Sequence, residues 1–147
     1  MCGIAGFLSS DHISADCSGW LYDMAGTMVH RGPDDEGVWY DANFGIGLAH
    51  RRLSIIDLSN EGHQPMASFS ERYVIVYNGE LYNFKDIRWE LDSENIPWRG
   101  NSDTEVLLAT IEVWGLEAAL TRVNGMFAFV LWDRKNGIYG CALIGWK

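Results

Sequence analysis

The chain is short of positive charge, of cysteine and of long apolar runs, and each shortage closes off a class of function. Lys and Arg total 11 against 20 Asp and Glu, a formal net charge of -9. That is the wrong sign for a nucleic-acid surface or an anionic membrane, so neither partner is expected. The three cysteines, Cys2, Cys17 and Cys141, are odd in number and lack metal or redox spacing, which fits reduced thiols in a cytoplasmic protein. No stretch approaches the roughly 18 apolar residues of a membrane span, and the apolar start lacks the cationic region and cleavage site of a signal peptide. His12, His30, His50 and His63 have no zinc-like spacing, no metal site is expected, and no Walker or dinucleotide glycine motif is present. What remains is a chain of 147 residues, 48% hydrophobic and 13% aromatic, the composition of one packed domain.

Along the chain, Cys2 to Leu8 reads as a short buried strand. Trp20, Leu21, Met24, Ala25, Met28 and Val29 recur at helical spacing, and Gly32-Pro33 end that helix. Strand-like pieces follow at Val38 to Tyr40, Gly45 to His50 and Leu53 to Leu58. Tyr73-Val74-Ile75-Val76-Tyr77 is β-branched and aromatic, as is a strand buried on both faces, and it is expected to end at Asn78-Gly79. Asn83 caps a short helix that buries Phe84, Ile87 and Leu91. Ser102-Asp103-Thr104-Glu105 fits a capping box, with a helix behind it that stops at Gly115. A short helix over Leu116 to Arg122 and a second apolar strand from Met126 to Trp132 complete the pattern. Two apolar strands with amphipathic helices to cover them imply stacked sheets between helical layers.

The candidate chemistry starts at Cys2. With Met1 removed, one residue would carry a thiol, pKa about 8.5, and an α-amine, pKa about 7.7 to 8.0, which is a nucleophile with its own base. The alternative is a small buried hydrophobe in an ordinary first strand. Asn78-Gly79 is either a hairpin turn or an oxyanion hole, in which the Asn78 amide and the Gly79 N–H face an oxygen becoming negative. Arg51 and Arg52 either solvate a surface or use a planar fork to hold a carboxylate. Asp103 serves the helix dipole and cap, and would equally suit an ammonium group. Arg52, Glu80 and Asp103 together match the charges of a free amino acid, provided the fold brings them together.

Six stretches then fall into a known order: Met1-Cys2-Gly3-Ile4-Ala5-Gly6, His30-Arg31-Gly32-Pro33-Asp34, His50-Arg51-Arg52-Leu53-Ser54-Ile55, Tyr77-Asn78-Gly79-Glu80-Leu81-Tyr82-Asn83, Ser102-Asp103-Thr104-Glu105 and Gly125-Met126-Phe127-Ala128-Phe129. In these the chain resembles the glutaminase domain of class II glutamine amidotransferases, within the N-terminal nucleophile hydrolases, and most closely that of glutamine-hydrolysing asparagine synthetases. The Gly32-Pro33-Asp34 loop points to that branch, since glucosamine-phosphate synthases typically carry Gly-Tyr-Asp.

The resemblance implies an α+β fold, a four-layer αββα sandwich of mainly antiparallel sheets. It implies hydrolysis of glutamine to glutamate and ammonia for asparagine synthesis, with Cys2 as nucleophile and Asn78 and Gly79 as oxyanion hole. Arg52, Leu53 and Ile55 would bind the carboxylate side of glutamine, Glu80 and Asp103 its amino end, and the His30 to Asp34 loop would form the pocket wall. An amidotransferase of a sugar or surface-polysaccharide pathway, or a remnant that binds glutamine without turnover, carries the same motifs. No cofactor is expected in this domain; ATP and Mg are expected only in the synthetase domain that relatives carry and that this chain is expected to lack. Relatives also continue the last strands differently, so residues 140–147 are expected to be a non-native tail on a truncated, poorly soluble glutaminase domain spanning 1–147.

Overall fold

The computed structural model describes residues 1–9, 16–55 and 59–144, with residues 141–144 described by their backbone. Seven strands and four α-helices follow one another as β1 (Gly3–Leu8), α1 (Ser18–Gly26), β2 (Asp35–Asp41), β3 (Ile46–Arg52), β4 (Met66–Ala67), β5 (Tyr73–Leu81), α2 (Phe84–Glu90), α3 (Asp103–Trp114), α4 (Leu116–Arg122), β6 (Gly125–Asp133) and β7 (Ile138–Ile144). They build two antiparallel sheets, a three-stranded one in the order β1-β3-β2 and a four-stranded one in the order β4-β5-β6-β7.

Strand alternation decides which residue serves which interior. In β5, Tyr73, Ile75, Tyr77 and Leu81 join Phe127, Phe129 and Leu131 of β6 under Ile87, Leu107, Ile111 and Ala119 of the helices. The intervening Val74 and Val76 point the other way, against Ile46, Leu48 and Trp132. In β3, Ile46 and Leu48 face the second sheet, whereas Ala49 faces Leu21 and Ala25 of α1. Three apolar clusters therefore separate α1, the first sheet, the second sheet and the α2–α4 group. The central strand β3 is buried at all seven positions.

Several expectations shift. Strand β1 lies at a sheet edge and is only partly buried, with Leu8 exposed. Helix α1 stops at Gly26, and turns carry the chain on to Arg31, so Val29 faces solvent. Leu53 to Ile55 are not a strand, and the rest of that expected strand, 56–58, lies outside the described residues, as does His12. Strand β5 does not end at Asn78-Gly79 but pairs with β6 as far as Leu81. Of the tryptophans read as packing residues, Trp132 is in the core while Trp20 and Trp89 are exposed.

The helix caps are also rewired. Ser102 accepts from the Glu105 N–H as expected, but the Glu105 carboxylate turns to the N–H groups of Arg99 and Gly100 instead of back to Ser102. Asn83 makes no side-chain cap; its amide bonds Arg122 O and the Asn124 N–H, tying α2 to the end of α4. Of residues 140–147, the stretch expected to be a non-native tail, Gly140 to Ile144 pair with β6 as part of β7, and 145–147 lie outside the described residues. No helix among the described residues is long and apolar enough to cross a membrane.

Candidate active site

A cavity of about 500 Å³ opens where the ends of the two sheets meet, lined by residues from both sheets and from the start of α3. Cys2, Arg52, Leu53, Ile55, Asn78, Gly79, Glu80 and Asp103 all line it. The fold therefore brings these eight residues, expected to serve catalysis or substrate binding, to one cavity.

Cys2 stands just before β1 and is half-buried. Its Sγ lies 3.4 Å from the Leu53 nitrogen, which donates to it, and 3.8 Å from the Leu53 oxygen. The carbonyl of Cys2 accepts from Arg31 Nε at 3.2 Å, which fixes the peptide that carries the thiol. Met1 also lines the cavity, so removing it would place the Cys2 α-amine at the cavity wall.

The adjacent arginines at the end of β3 are both buried and point to opposite faces, contrary to the surface reading. Arg51 turns to structure, giving Nε to Gly32 O at 2.8 Å and pairing with Glu36, its partner across the β2–β3 ladder. Arg52 reaches the cavity, with one terminal nitrogen on Ser59 O at 2.9 Å. Its guanidinium lies flat against Gly62, where an added Cβ would come within 2.0 Å of it. A side chain at 62 would have to displace the end of the Arg52 side chain.

On the second sheet, Asn78 lies on the face of β5 that looks toward the first sheet, and its amide makes no hydrogen bond among the described residues. Gly79 is glycine for a reason other than a turn: it has no positive φ, and a Cβ there would meet Cβ of Phe127 at 2.3 Å and Met126 O at 2.4 Å. Strand β6 crosses too close for a side chain. Glu80 is exposed at the cavity, its carboxylate likewise unpaired among the described residues.

Asp103, at the first turn of α3, is 6% exposed. Its Oδ2 accepts from the Leu81 N–H at 2.9 Å and the Tyr77 hydroxyl at 3.1 Å. Burial raises this carboxyl above the usual range, and those hydrogen bonds offset only part of the rise. The cavity thus sets one buried guanidinium against one buried and one exposed carboxylate.

The sequence reading missed Gln64 in the polar frame behind these groups. Gln64 is buried; its Oε1 accepts from the Tyr77 N–H at 2.6 Å and its Nε2 donates to Thr104 Oγ1 at 3.4 Å. His50 Nε2 lies 3.0 Å from Tyr77 O, and since a carbonyl only accepts, that nitrogen carries the proton. Burial holds His50 neutral by lowering its pKa to about 4. Partners 13 to 40 residues apart leave no local pattern.

One expectation is reversed. The His30 to Asp34 loop contributes nothing to the described lining of the cavity. It acts as a buttress: Gly32 O takes Arg51, the Asp34 N–H donates to Arg52 O, and Asp34 Oδ2 accepts from the Ser54 N–H at 2.7 Å. Among the described residues, no group of three or more His, Cys, Asp or Glu is placed to hold a metal ion.

Residues 1–142 match the family described as a glutamine amidotransferase domain. Glutamine-hydrolyzing asparagine synthetase 1 of Bacillus subtilis (strain 168) is 41% identical over 143 residues, covering 95% of this chain and 22% of that protein. Glutamine-hydrolyzing asparagine synthetase 3 of the same organism is 39% identical over 140 residues, 94% of this chain and again 22% of that protein. The solved glutamine phosphoribosylpyrophosphate amidotransferase of B. subtilis aligns with a TM-score of 0.50 at 23% identity, over 61% of this chain and 22% of that one, a likeness of fold.

Proposed function

This chain belongs to the glutamine amidotransferase domain family, of class II type, and from that membership we propose that it hydrolyses the side-chain amide of glutamine to glutamate and ammonia. The observation that carries the reading is the cavity: a cysteine one residue from the chain start shares it with unpaired amide donors, a buried guanidinium and a buried carboxylate.

In this reading the α-amine of Cys2, free once Met1 is removed, takes the thiol proton. Sγ attacks the amide carbon, and the oxygen that becomes negative is met by the Asn78 amide and the Gly79 N–H. The tetrahedral adduct breaks its C–N bond as the protonated amine returns its proton to the departing nitrogen, which leaves as ammonia. Water then adds to the thioester carbon and expels sulfur, releasing glutamate. Arg52 holds the α-carboxylate, with Leu53 and Ile55 beside it, and Asp103 and Glu80 hold the α-ammonium. The chemistry runs in a helix–sheet–sheet–helix sandwich of the N-terminal nucleophile hydrolase kind.

The ammonia acceptor belongs to the proposal too. The relatives named as asparagine synthetases support asparagine synthesis as its destination, in an ATP-dependent step outside this domain. The direct test is ammonia release from glutamine by a chain whose first residue is Cys2, compared with Cys2→Ala. Turnover should fall by about 10⁴-fold or more in the variant while glutamine still binds. Ammonia release that survives the substitution would sink the mechanism.

A further inference from the structure

Tyr77 occupies a position that core packing alone does not explain. Its ring packs on Phe127 at 5.7 Å between centroids, which a phenylalanine would do equally well. Its hydroxyl, however, ends on Asp103 Oδ2 at 3.1 Å, and its backbone is gripped on both sides, by Gln64 Oε1 at 2.6 Å and by His50 Nε2 at 3.0 Å. Gln64 closes a ring, because its other end reaches Thr104, the neighbour of Asp103. The residues directly after Tyr77 are Asn78 and Gly79. One side chain thus joins the carboxylate at the start of α3 to the strand that presents the amide donors, and all of it is buried.

We infer that Tyr77, held by Gln64 and His50, is a positioning residue that fixes the Asp103 carboxylate for the substrate's α-ammonium group. Burial raises the Tyr77 hydroxyl far above its ordinary pKa, so it stays a donor at every working pH. A buried carboxylate with a fixed rotamer meets an ammonium without first being ordered, which is where the affinity gain lies. The inference rests on the reading of the cavity as a glutaminase site.

The test compares glutamine with 5-amino-5-oxopentanoate, which keeps the amide and the carboxylate but lacks the α-ammonium. Binding is measured by calorimetry on the full chain carrying Cys2→Ala, with and without Tyr77→Phe. Tyr77→Phe should weaken glutamine about tenfold and leave the analogue within about twofold. The analogue doubles as the folding control. Gln64→Met, which frees the Tyr77 backbone but keeps its hydroxyl, should show the same preference with a smaller loss. Equal weakening of both ligands, or no weakening of glutamine, would overturn the role given to Tyr77; equal losses in Gln64→Met would overturn the part given to Gln64. The two proposals fail separately: a parent chain that binds glutamine without hydrolysing it defeats the hydrolysis alone, and one that does not bind glutamine defeats both.

Discussion

The three-stranded sheet is covered by one nine-residue helix whose buried contacts reduce to Leu21 and Ala25 against Ala49. The four-stranded sheet lies under α2, α3 and α4, with Ile75, Leu81, Leu107 and Ile111 at or near zero exposure. The cavity draws on both, but asymmetrically. The thinly covered sheet brings Cys2 and Arg52; the deeply packed one brings Asn78, Gly79 and, through Tyr77, Asp103. In the proposed reaction the group that moves a proton and forms a bond thus sits on the shallow half, and the oxyanion donors and the buried carboxylate sit on the deep half. Rigid, preorganised donors lose nothing to reorganisation at the moment of reaction, which is the use of the larger core.

The sharpest way to break this contrast is to disturb the deep half at its tightest contact. Gly79→Ala places a methyl carbon within 2.4 Å of β6 and must push the strands apart. It should cost glutaminase activity about a hundredfold or more and lower stability by about 2 kcal/mol. Normal turnover in a purified Gly79→Ala chain would mean that β5 and β6 give way freely.

The next effect compares the cores directly. Leu107→Ala should cost about 4 kcal/mol because the surrounding layers cannot collapse into the void, whereas Leu21→Ala, under a single short helix, should cost nearer 2.5 kcal/mol. Denaturant unfolding measures both, and equal costs would erase the distinction between the halves.

The third concerns the tie between the sheets, where His50 of β3 donates to Tyr77 O of β5. Its pKa is about 4 in the folded chain, against about 6.5 when exposed, because burial disfavours the charged ring. The unfolded chain therefore binds the proton first as pH falls. The contribution is complete above pH 6.5 and is lost progressively down to about pH 4, a total of about 3 kcal/mol. His50→Gln keeps a donor but cannot titrate in that window. The difference in unfolding free energy between parent and variant should accordingly change with pH between 6.5 and 4 and stay constant above it; a difference independent of pH throughout would remove His50 from this role.

How much of this was legible beforehand depends on the range of the signal. Helix α3, with Ser102 before it and Gly115 after it, could be read because caps are local. Those cavity residues that could be named came from short collinear stretches, not from any visible geometry. Asn78-Gly79 misled because a glycine after asparagine looks like a turn, while the actual demand for glycine comes from β6, nearly fifty residues later. Tyr77 read as one more β-strand aromatic; its hydroxyl partner is 26 residues away. The His30 to Asp34 loop read as pocket wall because its motif is near the site in function, yet its bonds run to Arg51, Arg52 and Ser54 behind the cavity.

Strand β3 has one more consequence. Arg51 and Arg52 are chemically the same residue, so nothing about an arginine decides which of them reaches the cavity and which clamps the loop. That choice is made by Ile46, Leu48 and Ala49: large side chains fit only between the sheets, and only a small one fits beneath α1. A slip of one residue would keep an arginine at one of the two places only, with His50 or Leu53 at the other, and would turn leucine and isoleucine against the helix. The cavity arginine is therefore addressed by volume, several residues upstream of its charge.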